Sequence, residues 1–200
     1  EKTFANGELI LQRHTHDGAG ATLNGGVSYA YACMNNDSTA FNASSDAYLN
    51  KGVKTADFLA RLYAGTVDRS LLLAGTLLHD FAKEQEFTFS ELGLVTDYST
   101  KGQLLGHLVM GAQEVAAIAA ELDLPEEKAT LLEHLILSHH GQPEFGAAVL
   151  PQCAEAELLS LVDQIDSRME IYREVLAPLK SGEFSQRVFA LDNRRVYKHK

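Results

Sequence analysis

Cysteine is scarce in this chain, occurring only as Cys33 and Cys153. Two thiols so far apart in sequence exclude a zinc framework of paired cysteines and a disulfide-stapled scaffold. They point to a reduced, cytoplasmic setting. Basic residues are also short, with 17 Lys and Arg against 27 Asp and Glu and a formal net charge of −10. That balance argues against tight, sequence-independent nucleic-acid binding by this chain alone, while leaving open a nucleic-acid substrate gripped by another module. No apolar run approaches the length of a membrane span, so no membrane partner is expected. A charged-then-apolar leader is missing too, and no secretory signal is expected. No internal repeat is evident.

What is present divides by texture. Residues 1–52 are rich in Gly, Asn, Ser, Thr and Ala, and read as an irregular N-terminal segment. From Val53 to Lys200 the apolar spacing is mostly helical, which predicts an all-α domain with a C-terminal extension. Helices are expected over 53–64, 68–81, 101–122, 126–139 and 154–176. Asp68 suits an N-cap, Pro125 a first helical turn and Gly141 a helix end. The alternating stretch "EFTFSELGLVTDYST" predicts a small hairpin. With 200 residues, one domain can bury a sizeable core. Oligomerisation is left open.

Chemistry concentrates in the helical part. "LLLAGTLLHDFAK" ends an apolar run on His79 and Asp80, and burying either group unpartnered is costly. His107 lies on the flank of an inward stripe of Leu104, Leu108, Ala112 and Val115, with Gly111 leaving room beside its ring. "LLEHLILSHHGQPEF" carries His134, His139 and His140, and "LVDQIDSRM" carries Asp163 and Asp166 one turn apart. Each has a plain structural reading when taken singly. A lone helical His is usually a hydrogen-bonded core residue, a His pair before Gly can be a C-cap, and the two aspartates can be solvated or paired with Arg168. Taken together, imidazoles and carboxylates interrupting separate apolar helices point to a divalent cation, with His134 as either a structural residue or one that supports a ligand from behind.

The "LLHDFAK" block, followed downstream by "GH", "HH" and "D", resembles the HD superfamily of metal-dependent phosphohydrolases. In order and spacing, "LLLAGTLLHDFAK", "KGQLLGH", "HLILSHHGQPEFG", "EAELLSLVDQIDSRM" and "GEFSQRVFALDNRRVYK" are similar to the HD domain of bacterial 3′–5′ exoribonucleases of the YhaM type. The resemblance implies a helical bundle around one or two divalent transition-metal ions (Mn, Fe, Co, Ni or Zn). It implies His79, Asp80 and Asp163 as core ligands, with His107, His139 and His140 completing a second position; a swap of Asp166 for Asp163 stays open. His107 or His140 would manage protons if not bound to metal. Lys83 is either a contact to a phosphate oxygen or a snorkelling surface lysine.

The activity implied is hydrolysis of single-stranded RNA from its 3′ end, with the family's RNA-gripping module outside this chain. Mononucleotide hydrolysis and a non-catalytic metal- or nucleotide-binding domain are the alternatives. Arg187, Arg194, Arg195 and Lys198 would either steer a phosphate chain or belong to a tail packed through Phe184, Val188 and Leu191. One departure stands out: the first ligand His of the family is not matched, either at Ala30 in "GGVSYAYACM" or within "AYLNKGVKTADFL". That leaves a coordination position either vacant or filled from His14 or His16.

Overall fold

A computed structural model describes residues 2–5, 8–11, 41–90 and 95–200. Two short strands, β1 (Lys2–Ala5) and β2 (Glu8–Leu11), pair antiparallel near the N-terminus. Helix α1 then runs from Phe41 to Leu62. It starts twelve residues before the expected boundary, so part of the segment read as irregular is helical. The physical reason lies in what residues 41–51 lack: neither Gly nor Pro occurs there. Asn, Ser and Asp are only mildly unfavourable inside a helix, and extending an existing helix avoids the cost of nucleation. Ala30, His14 and His16 lie outside the described residues.

Helix α2 (Arg69–Leu78) begins as expected on Asp68, whose Oδ1 accepts from the N–H groups of Ser70 at 2.8 Å and Leu71 at 3.1 Å. The backbone N–H of Asp68 in turn donates to Glu155 Oε1 at 2.6 Å, tying this cap to the start of the last long helix. α2 stops at Leu78 rather than at Phe81, placing His79 and Asp80 in the turn before the short helix α3 (Lys83–Glu86). Strands β3 (Phe87–Phe89) and β4 (Val95–Tyr98) form the anticipated hairpin, pairing Phe87 with Tyr98 and Thr88 with Asp97.

Helix α4 (Thr100–Glu121), capped by Ser99, breaks internally at Gly106, with φ 70° and ψ 161°. That conformation is essentially reserved for glycine, and it resets the helical phase. Leu104, assigned from the sequence to the inward stripe, is 77% exposed, whereas Leu108, Ala112 and Val115 beyond the break are buried. Helix α5 (Glu126–Ser138) follows Pro125 and ends at the His pair, with Gly141 adopting a positive φ of 77°. Helix α6 (Ala154–Leu176) completes the bundle.

The core lies where α1, α2, α5 and α6 meet, through Ala56, Ala60, Leu72, Leu135, Ala156 and Leu159. Small residues on α1 and α6 let these helices approach closely. The C-terminal tail folds on itself through bridges Phe184–Tyr197 and Val188–Arg194, with Leu191 fully buried and Phe184 largely exposed. Its basic residues serve that fold. Arg187 donates to Asn193 O, Arg194 to Leu191 O, and Arg195 to Ser185 O, while Lys198 Nζ donates to the C-terminal carbonyls of Leu176 and Leu179. No helix among the described residues is long and apolar enough to cross a membrane.

Candidate metal centre

Two helices end at the same place. His79 and Asp80 follow the C-terminus of α2, and His139 and His140 follow that of α5; the rings of His79 and His139 lie 4.9 Å apart. Helix C-termini carry partial negative charge, which favours a cation at their meeting point. α4 contributes His107, whose ring lies 5.7 Å from that of His139 and 5.2 Å from that of His140. α6 contributes Asp163, with Oδ1 3.8 Å from His79 Nε2. All six residues anticipated as ligands are thus brought to one centre. Asp166, one turn beyond Asp163, is half-buried.

Each histidine is oriented by its other nitrogen. His79 Nδ1 lies 2.9 Å from Thr76 O and His139 Nδ1 lies 2.7 Å from Ile136 O, so in both rings Nδ1–H donates to a main-chain carbonyl of its own helix. His107 Nδ1 lies 3.0 Å from Glu86 Oε2. Nε2 of His107 and of His139 therefore keeps a bare lone pair, the state a metal ligand needs, while His79 Nε2 faces the carboxylates of Asp80 and Asp163. The three Nε2 atoms converge on Asp80 and divide between its oxygens. His79 Nε2 is 3.4 Å from Oδ2, whereas His107 Nε2 is 3.4 Å and His139 Nε2 3.6 Å from Oδ1.

These separations are too long for good hydrogen bonds. They approach the ~3.0–3.4 Å between neighbouring ligand atoms that bonds of about 2.1 Å to one ion would give. Asp80 Oδ1, His107 Nε2, His139 Nε2 and His140 Nδ1 are all buried without a hydrogen-bond partner. Buried polar atoms are normally satisfied, and an unpartnered cluster needs a further occupant. Two sets have the mutual spacing of an ion's ligands: His79, Asp80 and His139, and His107, His139 and His140. The donor set fits a divalent ion.

The electrostatics agree. Burial opposes charge on Asp80, yet His79 and Lys83 hold its carboxyl well below the usual carboxylate range. Burial likewise works against a charged His79, but the Asp80 and Asp163 carboxylates outweigh it and raise the imidazole to about 10. In the metal-free protein a proton takes the place of positive charge. Burial, then the neighbouring His139 and His107, lowers His140 to about 4, leaving it neutral and ready to ligate. Lys83 Nζ is 2.8 Å from Asp80 Oδ2, so its ammonium belongs to the centre and is not a snorkelling surface group. His134 has a structural place, its Nε2 accepting from the Gln152 N–H at 2.9 Å.

Glu86 was not legible as a site residue. It is 6% exposed and its carboxylate receives both the backbone N–H and the ring Nδ1–H of His107. In sequence it sits within the strand-like alternation, where nothing marks it as buried.

The HD domain family matches residues 52–168 of this chain. Among curated proteins, the chain is similar to a 3′–5′ exoribonuclease YhaM of Bacillus licheniformis, 43% identical over 143 residues, covering 72% of this chain and 44% of the relative. A 3′–5′ exoribonuclease YhaM of Shouchella clausii is 44% identical over 140 residues, covering 70% of this chain and 43% of that protein. One from Bacillus subtilis is 41% identical over 143 residues, with 72% and 44% covered. The chain therefore spans less than half the length of these relatives. No solved structure matches it.

Proposed function

Because the chain belongs to the HD domain family, we propose that it is the hydrolytic part of a metal-dependent phosphodiesterase that shortens single-stranded RNA from its 3′ end. The observation that carries this reading is Asp80, whose two oxygens face different imidazoles across gaps of 3.4 to 3.6 Å. A carboxylate so placed can bridge two ions. His79, Asp80 and Asp163 would hold one, and Asp80, His107, His139 and His140 the other. Divalent ions such as Mn, Fe, Co, Ni or Zn would supply activated water and neutralise charge developing at phosphorus. Nδ1 on Glu86 and Nε2 toward Asp80 favour His107 as a ligand over a proton carrier. Lys83 sits where its ammonium can turn from Asp80 Oδ2 to a phosphate oxygen.

The curated relatives carry the name 3′–5′ exoribonuclease, which favours RNA as substrate, and the scarcity of cysteine favours the cytoplasm as the place of action. The acidic balance of this chain, −10 overall, suits a part that cleaves while basic surface elsewhere grips the strand. An end-labelled single-stranded RNA with added Mn²⁺ is expected to shorten stepwise. Asp80→Ala should reduce that to background without unfolding the protein. Wild-type rates in Asp80→Ala would remove the assigned centre. Phosphate released from mononucleotides with the RNA left intact would favour a nucleotide phosphohydrolase. Metal retained with no hydrolysis would favour a binding domain.

A further inference from the structure

We infer that Glu86 is the positioning residue that presents His107 to the metal, an inference that rests on the metal reading above. Glu86 Oε1 accepts the backbone N–H of His107 at 3.0 Å and its ring Nδ1–H at 3.1 Å, while Oε2 accepts the same ring N–H at 3.0 Å. One buried carboxylate thereby sets both the main chain and the ring of a single residue. The backbone contact has a clear cause. Gly106 interrupts α4, so His107 opens a new helical run whose first N–H groups have no partner within the helix. Glu86 reaches across to cap it.

Glu86 is itself held. Its N–H donates to Ala82 O at 3.0 Å, and its carbonyl accepts from the Ser99 N–H at 2.8 Å. Gly102 presses α4 against it so closely that a Cβ there would lie 2.1 Å from Glu86 O. With Glu86 fixed, the ring of His107 can place only Nε2 toward Asp80 Oδ1. The two glycines and the glutamate form one device. Gly102 allows the approach, Gly106 turns the chain, and Glu86 selects the tautomer that leaves a ligating lone pair.

Glu86→Gln tests this with little change of volume. An amide keeps only one of the two acceptor oxygens, and either orientation sets its NH₂ against one of the two donors. The outcome expected is that the amide oxygen keeps the cap and its NH₂ donates to Nδ1, moving the ring proton to Nε2. Long-range ¹⁵N NMR of metal-free protein should show Nδ1–H for His107 in the wild type and Nε2–H in E86Q. Titration with Zn²⁺ should show affinity falling about 10- to 100-fold in E86Q. His107→Ala should weaken binding as well, and E86Q in the His107→Ala background should add nothing, because the glutamate acts only through that ring.

An unchanged tautomer, an unchanged affinity or an additive double variant would each overturn the inference. Should E86Q not fold, the wild type alone decides, since Nε2–H on its His107 contradicts the arrangement. A wild type that binds no Zn²⁺ removes the metal reading and this inference together. Normal binding by both proteins removes only the role of Glu86.

Discussion

Asp80 shows how much a single residue's surroundings determine its chemistry. It is buried, flanked by His79, His107 and His139, and held ionised by charge around it. The same surroundings give metal-free protein a characteristic pH profile. His79, raised to about 10, keeps in the native state a proton that the unfolded chain loses near 6.5. The stability this contributes is whole below pH 6.5 and is lost as pH rises through 10. His140, lowered to about 4, stays neutral in the native state while the unfolded chain takes up a proton. Its contribution is whole above pH 6.5 and is lost as pH falls through 4. The Tm of chelated protein should therefore peak at about pH 6.5. Excess Zn²⁺ should flatten the alkaline limb, since the ion replaces the proton on His79. A Tm that climbs steadily from pH 6.5 to 9 without metal would contradict this account.

Helix α4 illustrates what a whole element adds. Its non-helical Gly106 shifts the phase of the residues around it, which is why Leu104 faces solvent although a regular wheel turns it inward. Gly106→Ala should cost about 1–3 kcal/mol through its backbone conformation alone. It should also weaken metal binding, as His107 follows directly; thermal melts and Zn²⁺ titration of the variant would check both. A variant as stable as wild type would mean that the break is not obligatory. The residues that gather at the candidate centre were legible in the sequence because His, Asp and their order within apolar runs are local signals. Helix periodicity likewise located α2, α5 and α6 to within a few residues. Glu86 was hidden because its burial depends on α4 packing across it, a contact between residues 21 apart. The start of α1 was hidden because polar residues without Gly or Pro look the same in loops and in surface helices.

At the scale of the molecule, the centre draws on four helices and their ends: α2, α4, α5 and α6. Metal at 100 times its Kd should add about 2.7 kcal/mol of stability. For a chain of this size that corresponds to a rise in Tm of roughly 5–11 °C. Scanning calorimetry with and without a chelator would check it, and an unchanged Tm would count against a metal held by the native fold. The rings of His79 and His139 are also hitched to carbonyls three residues back, Thr76 O and Ile136 O. Each ring thus moves as an outrigger of its helix and cannot follow an ion independently. In the proposed centre, tilting α2 or α5 would drag a candidate ligand out of place, and a bound ion would resist loosening of the bundle there. Ion release and the first opening of these helices would then be one kinetic event, and the off-rate of Zn²⁺ should match the opening rate seen by amide exchange at the ends of α2 and α5.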